Sequence, residues 1–272
     1  MSSVQSRKAS PALVAASFVG LVCIAVMVFG DRLSGHDYRV INLSMRLAAP
    51  LSPSHLLGTD ELGRDVLARL LTGMRWSIGS AFCATLIAFS IGTTFGLAAA
   101  HKGVWLGATL RLLTTFTQSF PSFVMAVTVI ALLGDSGFWA VTLTLGLVTW
   151  PVFSRVVYAE ASSLFQREYV QAAEMTGMSL VRLYSRHVLP ALAPTLSVLV
   201  VFHFAEMIVA ESALSFLGIG APLGAATWGA MLSEGRAFML QAPWLTLGPA
   251  FAMVIIIVAA HGLGQHLRNL TR

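Results

Sequence analysis

Charged residues are scarce in this sequence. Asp, Glu, Lys and Arg make up 11% of the 272 residues, whereas hydrophobic residues make up 56%. A water-soluble globule needs more polar side chains than this to cover its surface. The composition therefore predicts an integral membrane protein.

Cysteine and the common catalytic motifs are also lacking. The two cysteines, Cys23 and Cys83, both lie in apolar runs, which excludes a disulfide framework and a CxxC metal site. No Walker lysine motif, HExxH or GxSxG occurs. We expect a non-catalytic chain with no metal site and no bound cofactor. The net charge of +5 includes no basic run interleaved with aromatics, so we expect no nucleic-acid partner.

Long apolar runs predict the membrane-spanning helices. A helix needs about 20 apolar residues to cross a bilayer. Six runs meet or approach this length: residues 11–30, 76–100, 112–134, 136–154, 194–218 and 244–260. The first follows Arg7 and Lys8, and no A-x-A site follows it before Asp31, which favours a retained signal-anchor over a cleaved signal peptide. The predicted fold is all-α with six transmembrane helices.

The distribution of charge predicts the orientation. The N-terminus, residues 101–111, residues 155–190 and the C-terminus carry ten basic and three acidic residues, against seven and seven on the other side. The positive-inside rule then places both termini and the 169–190 loop in the cytoplasm.

Residues 169–190 form a polar, helix-forming island between apolar runs. Gly177 stands where a first short helix should end, because glycine enters the left-handed conformation at low cost. Ser179 can cap a second helix. Pro190 predicts a break before the next span. The island is predicted to fold as helix, glycine turn, helix.

The spacing of Ala172, Ala173, Gly177 and Leu189-Pro190 resembles the EAA loop of ABC importer permeases. In that family the loop is a cytoplasmic coupling helix that docks in a groove of the ATPase subunit, where the two alanines allow close approach. Gln171 replaces the family's usual Glu, and His187 fits the RHxLP form of the peptide and nickel branch. The resemblance implies these coupling residues: Tyr169, Gln171, Ala172, Ala173, Gly177, Arg186, His187, Leu189 and Pro190. The alternative is a plain connector between spans.

A second stretch that carries information about the family is residues 55–65, with the sequence HLLGTDELGRD. Asp60 is expected to cap an amphipathic helix over residues 61–73 that lies in the membrane interface. Asp65 and Arg69 would form an i,i+4 pair on it. The string resembles the segment before the second span of dipeptide, oligopeptide and nickel permeases. Either it only orients the next span or it shapes the outer mouth.

Three later stretches resemble the same branch, so that the resemblance runs from about residue 55 to the C-terminus. They read ExxLSFLGxG at residues 211–220, WGxML at 228–232 and APW at 242–244. Trp228 and Trp244 are expected to be interfacial anchors of an outer loop. We divide the chain into residues 1–75, a first span with a periplasmic linker, and residues 76–272, the permease core. The coupling loop occupies about 157–193.

Helix packing and bending are also predicted. Small residues recur at every fourth position of the second span: Ser80, Ala84, Ala88, Gly92, Gly96 and Ala100. Such a stripe lets two helices approach closely, either within the chain or against a second permease. Pro121 and Pro151 predict kinks in the third and fourth spans.

Three ionisable residues lie within the fifth apolar run: His203, Glu206 and Glu211. His203 and Glu206 share a helix face near mid-membrane, where facing lipid would be costly, so both should face the bundle interior. They either fix the packing or, together with Glu211, line a translocation path. One histidine and one carboxylate are too few for a stable metal cage.

The resemblance implies a type I ABC importer permease of a bacterial inner membrane. Its implied partners are a second homologous permease, two ATPases that use ATP and Mg, and a periplasmic binding protein. Dipeptides, oligopeptides, nickel and metal chelates all remain open as cargo. The alternatives are an ion-coupled secondary transporter or channel and, less favoured, an intramembrane enzyme.

Overall fold

The computed structural model describes residues 35–101, 104–134, 137–222 and 224–270, and these residues fold as a long loop, residues 35–65, followed by helices and their connections. The described residues contain nine α-helices: α1 (Val66–Ala100), α2 (Val104–Gln118), α3 (Ser122–Leu133), α4 (Phe138–Leu164), α5 (Glu168–Met175), α6 (Leu180–Leu183), α7 (Leu189–Phe216), α8 (Trp228–Gly235) and α9 (Trp244–Leu270). A π-helical turn, Tyr184–Val188, joins α6 to α7. The all-α prediction is confirmed for this part of the chain.

Membrane-spanning helices are recognisable by length and hydropathy. Four continuous helices qualify in the part of the chain that the structure describes: α1, α4, the run from Leu180 to Phe216, and α9. The pair α2 and α3 qualifies together but is bent by 87°. Five of the six predicted spans thus have a counterpart, and the predicted span at residues 11–30 lies outside the described residues.

The bend between α2 and α3 is a full break. We predicted a kink at Pro121, but α2 ends at Gln118 and α3 begins at Ser122. Pro121 occupies the N-cap of α3, where its missing N–H costs nothing. By contrast, Pro151 lies inside α4, which continues through it.

The start and the cap of the helix predicted over residues 61–73 are wrong. The helix α1 begins at Val66, and its cap is Asp65, whose side chain accepts a hydrogen bond from the Ala68 N–H. Asp60 instead accepts from the backbone N–H groups of Leu62 and Arg64 in a tight loop. The helix then runs without interruption to Ala100, so residues 66–73 belong to α1 and not to a separate interfacial helix, and the expected boundary at residue 75 falls inside α1.

A seam of small residues joins α1 to α4. A Cβ on Gly92 would lie 2.4 Å from the Trp150 carbonyl oxygen, and one on Gly96 would lie 2.7 Å from the Ser154 carbonyl oxygen. Neither distance is possible for a real side chain. The predicted packing seam is therefore confirmed, and its partner is a helix of the same chain.

The expectation that Trp228 is an interfacial anchor is wrong. Trp228 is fully buried, and its indole N–H donates to the Leu70 carbonyl of α1. Trp244 is partly buried and donates to the Thr59 carbonyl. Trp228 therefore holds α8 against the first turns of α1, and Trp244 holds the start of α9 against the loop before α1, because a buried indole N–H requires an acceptor.

Candidate functional site

The 169–190 island folds as predicted. The helix α5 ends at Met175, Gly177 adopts a left-handed φ of +74°, and α6 begins after Ser179. Ser179 occupies the cap position without a side-chain hydrogen bond to the helix. The break predicted at Pro190 is absent, because Pro190 lies in the first turn of α7, where a proline is tolerated.

One face of this loop is anchored in the chain's own core. Val170, Leu183 and Val188 are fully buried in a cluster that also contains Leu97 of α1 and Phe165 at the end of α4. The ring of His101, which follows α1, contacts Phe165 and Tyr184 edge-on. A force on the loop would therefore reach the ends of α1, α4 and α7 directly.

The other face of the loop is open. Tyr169, Gln171, Ala172 and Met175 are exposed on α5, as is Val181 on α6. The two alanines are divided between the faces, because Ala173 is only 9% exposed and packs in the cluster below. Only Ala172 is available for close approach by a partner.

The remaining predicted coupling residues lie where α6 runs into α7. Arg186 and Pro190 are exposed, whereas His187 and Leu189 are half-buried. The His187 ring lies 6.3 Å from the Tyr169 ring, which brings the two ends of the island together. The open face therefore combines aromatic and aliphatic groups with basic ones.

At the opposite end of α1, a network of ion pairs fastens the 55–65 stretch. Asp60 Oδ2 lies 2.7 Å from Arg64 Nε and 2.6 Å from Arg69 Nη1, and Glu234 of α8 lies 2.7 Å from Arg69 Nη1. The predicted Asp65–Arg69 pair is wrong, since Asp65 pairs with His55. Burial raises the pKa of the Glu61 carboxyl at the edge of this network. The arrangement links two segments far apart in sequence.

A cavity of about 710 Å³ lies at the break between α2 and α3. Its wall also includes the Pro151 region of α4 and the middle of α7. The polar residues of the lining are Thr117, Gln118, Ser122, Thr149, Arg155, His203 and Glu206. Two of the three candidate path residues therefore lie on one cavity.

His203 is buried on this cavity wall. Its side chain is 1% exposed, and Nε2 lies 3.2 Å from Thr149 Oγ1. The Thr149 hydroxyl donates its own hydrogen to the Leu145 carbonyl, so it accepts from His203 Nε2–H. The other ring nitrogen, Nδ1, has no hydrogen-bond partner among the described residues.

Glu206 differs from the prediction that it would face the interior of the bundle. Its side chain is 70% exposed in the single chain, and Oε2 lies 3.7 Å from His203 Nδ1. Arg155 and Gln118 also line this cavity. Arg155 Nη1 donates a hydrogen bond of 3.1 Å to Gln118 Oε1. The sequence analysis missed Arg155 because the predicted fourth span ended at residue 154, although a cation in the last turns of a span was an available signal.

Glu211 does not join them. It is fully buried outside the cavity lining, and it accepts hydrogen bonds from Ser215 Oγ at 2.8 Å and Ser212 Oγ at 3.4 Å. These hydroxyls lie on the same helix. The arrangement indicates a packing role for Glu211 near the end of α7.

Comparison with known proteins identifies related sequences. The chain is 34% identical to the dipeptide transport system permease protein DppC of Alkalihalophilus pseudofirmus, over 93% of this chain and 84% of that protein. It is 32% identical to the nickel transport system permease protein NikC of Escherichia coli K12, over 86% of this chain and 84% of that protein. The sequence resemblance to this branch of permeases is thereby confirmed.

The fold also has a solved counterpart. A chain of the inward-facing MetNI methionine ABC transporter matches 75% of this chain and 97% of its own length, with a TM-score of 0.61 and 18% identity. Residues 92–272 match the family described as "Binding-protein-dependent transport system inner membrane component". This chain belongs to that family of transport proteins.

Proposed function

We propose that the chain is one of two permease subunits of an ATP-binding cassette importer in a bacterial inner membrane. The second subunit is a homologous permease, and together the two form the pore. Two ATPase subunits, which bind ATP and Mg, and a periplasmic binding protein complete the machine. This chain hydrolyses nothing itself.

The observation that carries this proposal is the two-sided coupling loop. Its exposed face offers Ala172 between larger exposed residues, so that a partner groove can approach the backbone there. Its buried face is packed against the ends of three spans. A plain connector would need neither face, whereas a loop that transmits movement from an ATPase needs both.

The cavity supports the role of half a pore. It lies where a span is broken, and Glu206 is exposed beside it. The broken helix pair exposes Leu112, Phe116 and Phe120, which a second permease or lipid would cover. A carboxylate exposed at mid-membrane is costly unless it faces protein or water, so we infer that the second permease closes this side.

Cargo passing this cavity would meet acceptors and donors together. The Glu206 carboxylate can accept from an ammonium group or contact a cation, and Arg155 can pair with a carboxylate. A dipeptide or oligopeptide carries both charges, and a nickel chelate carries a cation. The related proteins that transport dipeptides and nickel fit this range. The ion-coupled alternative is weakened because Glu211 lies apart from the cavity lining.

The test is reconstitution. The chain would be co-expressed with candidate permease and ATPase subunits from its own genome, and the complex would be placed in nanodiscs. Binding proteins loaded with a dipeptide, an oligopeptide or a nickel chelate would then be added one at a time. We expect one of them to raise ATP hydrolysis. Failure of ATPase subunits to co-purify with the chain would contradict the proposal.

A further inference from the structure

A second cavity, of about 470 Å³, lies in the loop that precedes α1. His36, His55 and Asp65 all contribute to its wall. The loop belongs to the end of α1 opposite the coupling loop. The permease function assigns no role to this cavity.

The three side chains converge on one point. His55 Nδ1 lies 2.7 Å from Asp65 Oδ2, and the rings of His36 and His55 are 5.0 Å apart. One ligand atom from each of the three residues lies within 4.8 Å of the others. This set of two imidazoles and one carboxylate is the kind of donor set that borderline divalent metals prefer.

The backbone holds these residues in place. Asp65 is fixed as the cap of α1, since its Oδ1 accepts from the Ala68 N–H. Gly63, at a left-handed φ of +71°, lies so close to Asn42 that a Cβ there would overlap the Asn42 carbonyl. Hydrogen bonds from Asn42 N–H to the Leu62 carbonyl and from Leu47 N–H to the Asp60 carbonyl tie the two halves of the loop together. The donor atoms are therefore partly preorganised.

A nearby cluster of three carboxylates differs from this set. Asp60, Glu61 and Glu234 also approach one another, but each of them forms an ion pair with Arg64 or Arg69. A cation would have to displace these arginines. Among the described residues, no arginine or lysine contributes to the wall of the cavity that holds His36, His55 and Asp65.

We propose that His36, His55 and Asp65 bind a divalent transition-metal ion of the Zn²⁺ or Ni²⁺ type. The ion takes the position of the proton between His55 and Asp65, whose ligand atoms separate from 2.7 Å to about 3.3 Å for metal–ligand distances of about 2.0–2.1 Å. Three protein ligands leave at least one coordination position for water or for a donor atom of a solute. Hard ions such as Mg²⁺ prefer oxygen ligands alone and are excluded.

This inference does not depend on the proposed transport function, because binding is measured on the isolated chain. The full chain would be purified in detergent with a tag that contains no histidine. Calorimetric titration with ZnCl₂ and NiCl₂ should show saturable binding of one ion per chain, and MgCl₂ should not compete at the same concentration.

Variants locate the site. His36→Ala and His55→Ala should each weaken binding of Zn²⁺ by about tenfold or more. His36→Ala is the more direct variant, because His55 also bonds Asp65 and its loss could disturb the loop. His261→Ala, at an exposed position of α9, is the matched control and should bind as the unmodified chain does. Unchanged affinity in either His36→Ala or His55→Ala, or the absence of saturable binding in the unmodified chain, would overturn the proposal.

Discussion

His203 Nε2 lies 3.2 Å from Thr149 Oγ1, and this contact joins α7 to α4 at the wall of the cavity of about 710 Å³. The contact places a ring hydrogen on Nε2 and leaves Nδ1 facing Glu206, 3.7 Å from Oε2. The path role of His203 and Glu206 therefore rests on this pair of side chains at the cavity wall.

This pair predicts a difference between two carboxylates of α7. Glu206→Gln should lower uptake of a cationic or zwitterionic cargo severalfold, because it removes the charge beside the cavity. Glu211→Gln is the matched control, since Glu211 lies outside the lining and an amide can keep one bond to Ser215. Uptake assays in vesicles at equal protein levels measure both variants. Equal loss in the two variants would contradict a special role for Glu206.

His203 itself can be tested in the same assay. The double variant His203→Ala with Glu206→Gln should assemble normally and take up less cargo, with a larger loss for a metal chelate than for a neutral peptide. Uptake at the unmodified rate would leave the two residues with a packing role alone.

The seam between α1 and α4 predicts a steric effect. Gly92→Val places three carbon atoms where the Trp150 carbonyl and Phe153 already stand, so the helices must separate. We expect a loss of at least about 1–3 kcal/mol of stability and low accumulation in the membrane. Gly248→Ala in α9 is the control, because nothing lies within 4 Å of its added Cβ. The melting temperatures of the two variants would be measured in detergent. Equal melting temperatures would contradict close packing of α1 on α4 at Gly92.

The ion-pair network predicts that Asp60 holds the 55–65 stretch on α1. Asp60→Asn leaves the buried Arg69 with Glu234 alone as its countercharge, so the cost should stay below the roughly 3–5 kcal/mol of a fully uncompensated buried charge. The readout is limited proteolysis of the loop before α1, which should become faster. Asp37→Asn, at an exposed position of the same loop, should leave the cleavage rate unchanged. If Asp60→Asn were cut no faster, the network would not be what fixes the loop.

The orientation predicted from charge is tested by thiol labelling. Cys23 and Cys83 would first be replaced by serine. Leu240→Cys, at a fully exposed position (100%), should then react with an impermeant reagent in intact cells, whereas Ser179→Cys, on the coupling loop, should react only after lysis. The reverse pattern would invert the topology.

The sequence was most informative where one residue type has a single physical role. Gly177 predicted the turn of the coupling loop because only glycine adopts a left-handed φ cheaply, and Gly92 predicted a close helix contact because it lacks a Cβ. The positions of five spans, though not their lengths, followed from hydropathy. None of these inferences required knowledge of a distant neighbour.

The errors lie where tertiary partners decide the outcome. Asp60 and Asp65 are both good caps, and Asp65 is the one used because Asp60 is bound by Arg64 and Arg69. Trp228 was expected at an interface, but α8 folds back so that its ring meets the Leu70 carbonyl. Arg155 was assigned to a loop, since nothing in the local sequence indicated a cavity at the break between α2 and α3. These contacts join segments that only the folded chain brings together.

The coupling loop itself gives the most direct test of the proposed machine. Ala172→Asp adds bulk and charge on the exposed face of α5 without touching the chain's own core, whereas Ala173→Asp would bury a carboxylate beneath the loop. Ala172→Asp is therefore the informative variant. Ser163→Asp, at an exposed position in the last turn of α4, is the matched control for added charge.

The measurement is ATP hydrolysis by the reconstituted complex, with and without loaded binding protein. The account predicts stimulation of the unmodified complex and of Ser163→Asp, and loss of stimulation or of ATPase association in Ala172→Asp with normal insertion of the subunit. Stimulation of the Ala172→Asp complex to the unmodified level would contradict coupling through this loop.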